Sequence, residues 1–309
     1  YDAQGGSGAP AAGTKNHGVA YTLSTTKPTK TGYTFLGWNT SSTATTASHQ
    51  PGGTTQAGTN QNITFYAIWK ANTYTVKYNA NGGSGTMSNT AGTYGVSTNL
   101  RKNTFTKTGY SFSGWNAHRT GDNKWYYKGS ESNGWYTEAN APSGYTKYVY
   151  KDEQTFAKLT STQGDTITMY AVWTENYLTV NYYSNYATEY NGTNTLPSGA
   201  VVNKDNNTLI CTQKFYYDNP ANYGLNDYTS GSTLGMIKTG YTRTNKWGTS
   251  TSTEEGIKIA QNTTFDTGQA LAQAFGKDLS SGNASVNVYA QWTENYLTVN
   301  YYSNYATEY

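Results

Sequence analysis

The eighteen residues WTENYLTVNYYSNYATEY begin at Trp173 and recur unchanged from Trp292 to Tyr309. A chain that uses one segment twice is constrained to build equivalent units, because the same side chains need the same partners each time. Within the segment Leu178, Val180 and Tyr182 fall on one face and Thr179 and Asn181 on the other. That alternation predicts a half-buried β-strand followed by a turn. The second copy stops in mid-pattern, so the chain reads as a window on a longer repeating array.

Three anchors recur in fixed order. The first is a strand ending in Tyr before a Gly or Asn turn: YDAQGGSG from Tyr1, YTVKYNANGGSG from Tyr74 and YLTVNYYSN from Tyr177. The second is KTGYTFLGWN from Lys30, KTGYSFSGWN from Lys107 and the altered KTGYTRTNKW from Lys238. The third is FYAIW at Phe65, MYAVW at Met169 and VYAQW at Val288. From the strand Tyr to the KTGY Tyr the separation is 32, 32 and 59 residues; from the second-anchor Trp to the third-anchor Trp it is 31, 58 and 45. One frame therefore carries a late insertion in the second unit and an early one in the third, as surface loops tolerate. The expected units are 1–71, 72–174 and 175–293, with 294–309 as the first strand of a fourth.

Six tryptophans sit at the anchors: Trp38, Trp69, Trp115, Trp173, Trp247 and Trp292. A unit near 70 residues without a disulfide has little core, so paired indoles are read as its structural pegs. The Gly before Trp38 and before Trp115 predicts a bulge or a close backbone approach. In the second unit strands are expected at 74–79, 94–100, 110–116 and 166–173. In the third, Asp266 is the expected N-cap of a helix with Gln269 three residues on, Leu271 and Phe275 on one face and Gly276 as its stop. Composition agrees with a β-rich α+β class: 31 Tyr, 33 Gly and only 13% charged residues.

At these anchors the sequence resembles the Listeria–Bacteroides repeat, also called the internalin B-type repeat. The resemblance is carried by YTVKYNANGG, KTGYTFLGW and the YAxW block. It implies tandem ubiquitin-like β-grasp units in an elongated array on a bacterial surface or secreted protein. It also implies an extracellular stalk, spacer or adhesion role and no enzymatic activity in the repeat itself. The third unit departs from the pattern, with SNY from Ser184 where the NGG turn stands and Arg243 where Phe35 and Phe112 stand.

The residues themselves offer no catalytic constellation. His17, His49 and His118 lack metal-ligand spacing, and Asp152–Glu153 and Glu254–Glu255 are adjacent pairs that in a strand point to opposite faces. The turns at Gly5–Gly8 and Gly82–Gly85 precede no helix, so they are loop turns and not phosphate cradles. Asn-x-Ser/Thr triplets at Asn62 and Asn262 are expected by chance, and TLPSG from Thr195 resembles a wall-sorting motif only superficially. A net charge of +3 without a Lys/Arg run gives no nucleic-acid footprint. The single cysteine, Cys211, is expected to be a half-buried thiol. No apolar run approaches the ~20 residues that span a bilayer, and neither metal nor cofactor is implied. Targeting signals are expected to lie outside this window.

The candidate ligand surface is the insertion of the second unit, with Trp125, Tyr126, Tyr127, Trp135, Tyr136, Tyr148 and Tyr150, and Tyr145 beside them. Exposed rings there would stack on a sugar or anchor a cell-surface protein; alternatively they form the private cluster of an extra hairpin. The linkers favour a mechanical role. Only KANT separates Trp69 from Tyr74, and TENY follows both Trp173 and Trp292, so neighbouring units have little room to bend. The expected function is an extracellular spacer or fibre that stacks its units and associates with other copies of itself.

Overall fold

The computed structural model describes residues 1–55, 61–190, 201–202, 207–219, 225, 236–260 and 263–300. They form two compact units, one of Tyr1–Thr106 with Phe112–Trp173, the other of Lys107–Ser111 with Thr174–Tyr309. Their buried hydrophobic side chains gather in three clusters, one within each of the expected units 1–71, 72–174 and 175–293, which are called repeats below. One lies around Leu23, Trp38, Phe65 and Ala67, the next around Val76, Trp115, Ile167 and Met169, and the third around Leu178, Val180, Tyr182, Trp247 and Val288.

In the second repeat the entry strand Thr73–Asn79 lies between its antiparallel neighbour Thr90–Thr93 and the closing strand Thr166–Glu175, which runs parallel to it. Beyond the closing strand comes the Gly–Trp strand Tyr110–Arg119, then the hairpin Lys124–Lys128 and Asn133–Tyr136. The third repeat keeps that order: Thr208–Tyr216, entry strand Tyr177–Tyr183, closing strand Ala284–Glu294, Gly–Trp strand Tyr241–Gly248. In the first repeat Tyr33–Asn39 pairs with Tyr66–Ala71, and Asp2 alone bridges Tyr66 in parallel at the entry position. The parallel pair is central and buried, as parallel strands need to be: Leu178, Val180 and Tyr182 are wholly buried against Val286 and Val288.

Each repeat is organised around its two tryptophans. Trp38, Trp115 and Trp247 are completely buried. Phe35 bridges Trp38 and Trp69 with ring centroids 5.0 and 5.5 Å away, and Phe112 bridges Trp115 and Trp173 at 4.8 and 5.7 Å. In the third repeat Arg243 takes that place, its guanidinium 4.7 Å from the Trp247 ring and 5.8 Å from that of Trp292. An edge-to-face aromatic bridge has become a cation–π bridge of the same span. The second indole of each pair ties the closing strand to the entry turn: Nε1 of Trp69, Trp173 and Trp292 donates to the carbonyls of Ala3, Ala80 and Ser184 at 2.9, 2.8 and 3.2 Å. A Cβ on Gly83 would stand 2.9 Å from the Trp173 ring and 2.7 Å from a backbone oxygen, which explains the second Gly of the NGG turn. Where that turn is lost, Asn185 takes the left-handed conformation (φ 52°) and donates to Ala290, as Asn81 (φ 48°) donates to Ala171.

Several expectations need correction. The strand placed at 94–100 is instead Thr90–Thr93 and Thr98–Asn99, because Gly95 adopts φ 82° and turns the chain between them. The helix Gly268–Ala274 is capped by Thr267, whose side chain accepts from the Ala270 N–H; Asp266 stands one residue too early, and Gln269 reaches Asp278 and Leu279 instead. Asp152 and Glu153 lie in a turn and not in a strand, Glu153 with φ 55°. Within 294–309, Asn295–Asn300 carries no strand pairing, and 301–309 lies outside the described residues, as do Asn262 and the segment from Thr195. The bulge expected beside Trp38 is present between Phe35 and Gly37. Cys211 is half-buried against the third core.

Candidate functional site

Five of the seven candidate ligand-binding aromatics belong to the hairpin Lys124–Lys128 and Asn133–Tyr136 and divide between its two faces, while Tyr148 and Tyr150 lie beyond it, Tyr150 in a short strand on Tyr110–Arg119. Cross-strand register pairs Tyr126 with Trp135 and Trp125 with Tyr136. Tyr126, Trp135 and Tyr148 pack against the second core, which contains Tyr150. Burial drives the Tyr150 phenol well above the usual tyrosine range, with the Tyr126 and Tyr148 phenols adding to the effect. On the other face Trp125 lies against His118 and Tyr170, with ring centroids 4.6 and 5.1 Å away, and the Lys147 ammonium covers its ring at 3.9 Å. Lys147 is in turn paired with Glu138 at 2.5 Å, and Tyr136 stands edge-on to Tyr127 and Tyr145. None of the seven is exposed: Tyr127 and Tyr150 are buried and the other five half-buried. The hairpin spends its rings on itself.

The histidines are equally scattered. His49 sits in a bridge with Trp38, His118 Nε2 meets Asn123 Oδ1 at 2.9 Å, and His17 borders a groove of about 590 Å³ with Tyr1, Lys15, Tyr21 and Phe65. Among the described residues no three His, Cys, Asp or Glu side chains come together to hold a metal.

A recurring polar constellation lies where the linkers meet the KTGY turns. Asn72, Asn176 and Asn295 each stand three residues after a closing-strand Trp. Their N–H groups donate to the carbonyls of Gly32, Gly109 and Gly240 at 2.9, 2.8 and 2.9 Å. Their Oδ1 atoms accept from the hydroxyls of Thr34, Ser111 and Thr242, at 2.6 Å in every case. In the first unit Asn72 Nδ2 donates to Ser161 O at 2.7 Å, and the Tyr94 N–H donates to Asn72 O at 2.8 Å. In the second unit Asn176 Nδ2 donates to Leu279 O at 2.7 Å, and the Tyr217 N–H donates to Asn176 O at 2.9 Å. Both asparagines are buried, and both satisfy backbone and amide together, as burial demands.

The Gly of the KTGY turn completes the clamp. Gly32 and Gly109 hold φ 79° and 80°, which L side chains rarely adopt, and a Cβ there would lie 2.1 and 2.2 Å from the rings of Tyr94 and Tyr217. Conformation and space both require Gly. The Lys that opens each motif places Nζ over the Tyr that closes it, 4.7, 4.1 and 4.5 Å from Tyr33, Tyr110 and Tyr241. The Tyr110 hydroxyl also donates to Asp218 Oδ2 at 2.8 Å, and that bond pushes its pKa up to about 12. The sequence marked the linkers as short but not Asn as their working residue. The signal was present, since Asn is what KANT and TENY share at one distance from Trp.

Comparison with known proteins finds a repeat family in the first part of the chain. Residues 1–68 and 74–132 match the Listeria-Bacteroides repeat domain. The first of that pair carries KTGYTFLGW, whose strand bulges between Phe35 and Gly37, and the second carries KTGYSFSGW. A protein of Evansella cellulosilytica described as a Gly-rich membrane protein is 46% identical over 55 residues, 18% of this chain and 6% of that protein. The chain therefore spans a small fraction of that relative's length. Among the described residues no helix is long and apolar enough to cross a membrane.

Two outcomes follow from the clamp. Asn176→Ala orphans the buried Leu279 carbonyl and the Ser111 hydroxyl, and should cost about 2–3 kcal/mol in denaturant unfolding, with Ser111→Ala costing about 1 kcal/mol. Because the folded-state pKa of Tyr110 lies above the unfolded value of 10.0, its contribution is complete below pH 10 and lost as pH rises through about 12. In a titration of ring-labelled tyrosine by NMR, Asp218→Asn should move the Tyr110 midpoint back toward 10.0.

Proposed function

We propose that this chain is a non-enzymatic, extracellular spacer segment of a bacterial surface or fibre protein, built from stacked β-grasp repeats. The observation that carries the reading is the clamp: one Asn, one Gly and one hydroxyl recur with the same hydrogen bonds at Asn72, Asn176 and Asn295. A ligand site has no need to be repeated at every linker, whereas a spacer that must hold its units in one orientation does. The sheet order of the second and third repeats, with a central parallel pair of first and last strands, supports reading them as β-grasp units. The family match and the relative's description as a membrane protein support a surface location in this reading. Low charge leaves a polar, uncharged exterior suited to association with other copies of the chain.

The alternative, an adhesin that grips a glycan or a cell-surface protein through Trp125 and its neighbours, is less well supported because the hairpin rings are consumed by their own packing. Small-angle scattering is the direct test. A compact 309-residue globule would have a radius of gyration of about 19 Å. The spacer reading expects a value well above that and a long-tailed distance distribution; a compact profile would overturn it.

A further inference from the structure

The second and third repeats differ at one edge of the closing strand. In the second repeat the Gly–Trp strand runs on to Arg119 and covers that edge: the Thr120 N–H donates to Thr166 O at 3.2 Å, and the Thr120 hydroxyl stands 3.5 Å from that of Thr168. Tyr170, the Tyr of MYAVW, is covered there by Trp125 and His118, with ring centroids 5.1 and 5.9 Å away. In the third repeat the Gly–Trp strand stops at Gly248, opposite Tyr289 of VYAQW. Among the described residues, Ser285–Val288 pairs only with the entry strand. A groove of about 380 Å³ opens along this edge, with Tyr289, Asn287, Ser285, Thr249 and Lys277 in its lining and no carboxylate.

Neighbours outside the groove hold these groups in position. Tyr183 stacks on Tyr289 with centroids 5.2 Å apart and planes 26° from parallel, while Gly248 on the other flank has no side chain to cover the ring. Asn181 Nδ2 donates to Asn287 Oδ1 at 2.9 Å, which orients the amide and leaves Asn287 Nδ2 a donor without a partner among the described residues. Thr249 Oγ1 accepts from the Ile257 N–H at 3.0 Å, so its own hydrogen is left to donate elsewhere. Lys277 is exposed and makes no ion pair among the described residues. The carboxylate beside it, Asp278, is already engaged by Gln269 and Ser280.

A ring face beside convergent donors suits a ligand that is apolar on one side and hydroxylated at its edge. A wholly apolar ligand would strand the Asn287, Ser285 and Thr249 polar groups without partners. A pyranose meets both demands. One ammonium, with no carboxylate in the lining, adds a preference for a single negative charge. We propose that this groove binds a hexuronate ring of an acidic polysaccharide. The sugar stacks on Tyr289, its hydroxyls meet Asn287 Nδ2, Ser285 and Thr249, and its carboxylate meets the Lys277 ammonium. The site goes beyond the spacer reading and shares no residue with the clamps, so the scattering result and this one fail separately.

The test is an NMR titration of the 309-residue chain with the methyl glycosides of glucuronic and galacturonic acid, and with the neutral methyl glucoside and galactoside. A uronide should shift the Asn287 side-chain amide and the backbone amides of Ser285 and Tyr289, with a Kd of about 1 mM or tighter. The neutral glycosides should bind roughly tenfold more weakly. Lys277→Gln, at an exposed position, should weaken uronide binding by roughly tenfold and flatten its salt dependence. Tyr289→Leu should remove binding, and Tyr289→Phe should keep it. If Tyr289→Leu does not fold, Lys277→Gln still decides. Three results would overturn the proposal: no shift at these residues with either uronide at about 10 mM, equal affinity for acidic and neutral glycosides, or a Lys277→Gln variant that binds like its parent.

Discussion

The structure depends on one buried side chain per junction. An asparagine amide removed from water is costly unless its donors and acceptors are all met, and the penalty for leaving one unmet is about 1–3 kcal/mol. Asn72 and Asn176 meet theirs by reaching in two directions at once. The backbone N–H and Oδ1 bind the KTGY turn, while Nδ2 and the backbone carbonyl bind groups that lie beyond the linker in sequence, Ser161 and Tyr94 for Asn72, Leu279 and Tyr217 for Asn176. Any swing of the Asn72 linker breaks several of these bonds together. Within that one compact unit the short polar linker becomes a fixed joint, because its one buried residue is satisfied on both sides at once.

The same economy operates inside the repeats. The frame accepts large insertions because a few contacts define it: an indole pair, the side chain that bridges them, and an indole N–H on the entry-turn carbonyl. Arg243 shows how far the chemistry can drift. A cation over two indole faces replaces an aromatic ring between them, and one extra residue in the strand is absorbed by a register shift between Arg243 and Trp247. Asn185 makes the same point for the turn, since an Asn tolerates the left-handed backbone and its amide reaches the closing strand.

Period and spacing made the repeats legible. The alternation of Leu178, Val180 and Tyr182 gave the buried face of the entry strand, and the Gly before Trp38 gave the bulge. What local pattern could not give was set by distant partners. The strand expected at 94–100 fails at Gly95, whose left-handed turn delivers the Tyr94 ring to Gly32 across the junction. The helix cap moved from Asp266 to Thr267 because only the latter oxygen reaches the Ala270 N–H. In the aromatic insertion ring content is visible in sequence, while the face on which each ring packs depends on pairing that joins residues 118, 125 and 136. The clamp asparagines were hidden for the opposite reason: a lone Asn in a linker carries no pattern until its two sets of partners are brought together.

Residual dipolar couplings test this joint most directly. Backbone N–H couplings from the first and second repeats, which share one compact unit around Asn72, should fit a single alignment tensor, and Asn72→Ala should split it into two. Separate tensors for the two repeats in the unmodified chain would contradict the claim that a buried asparagine fixes their orientation.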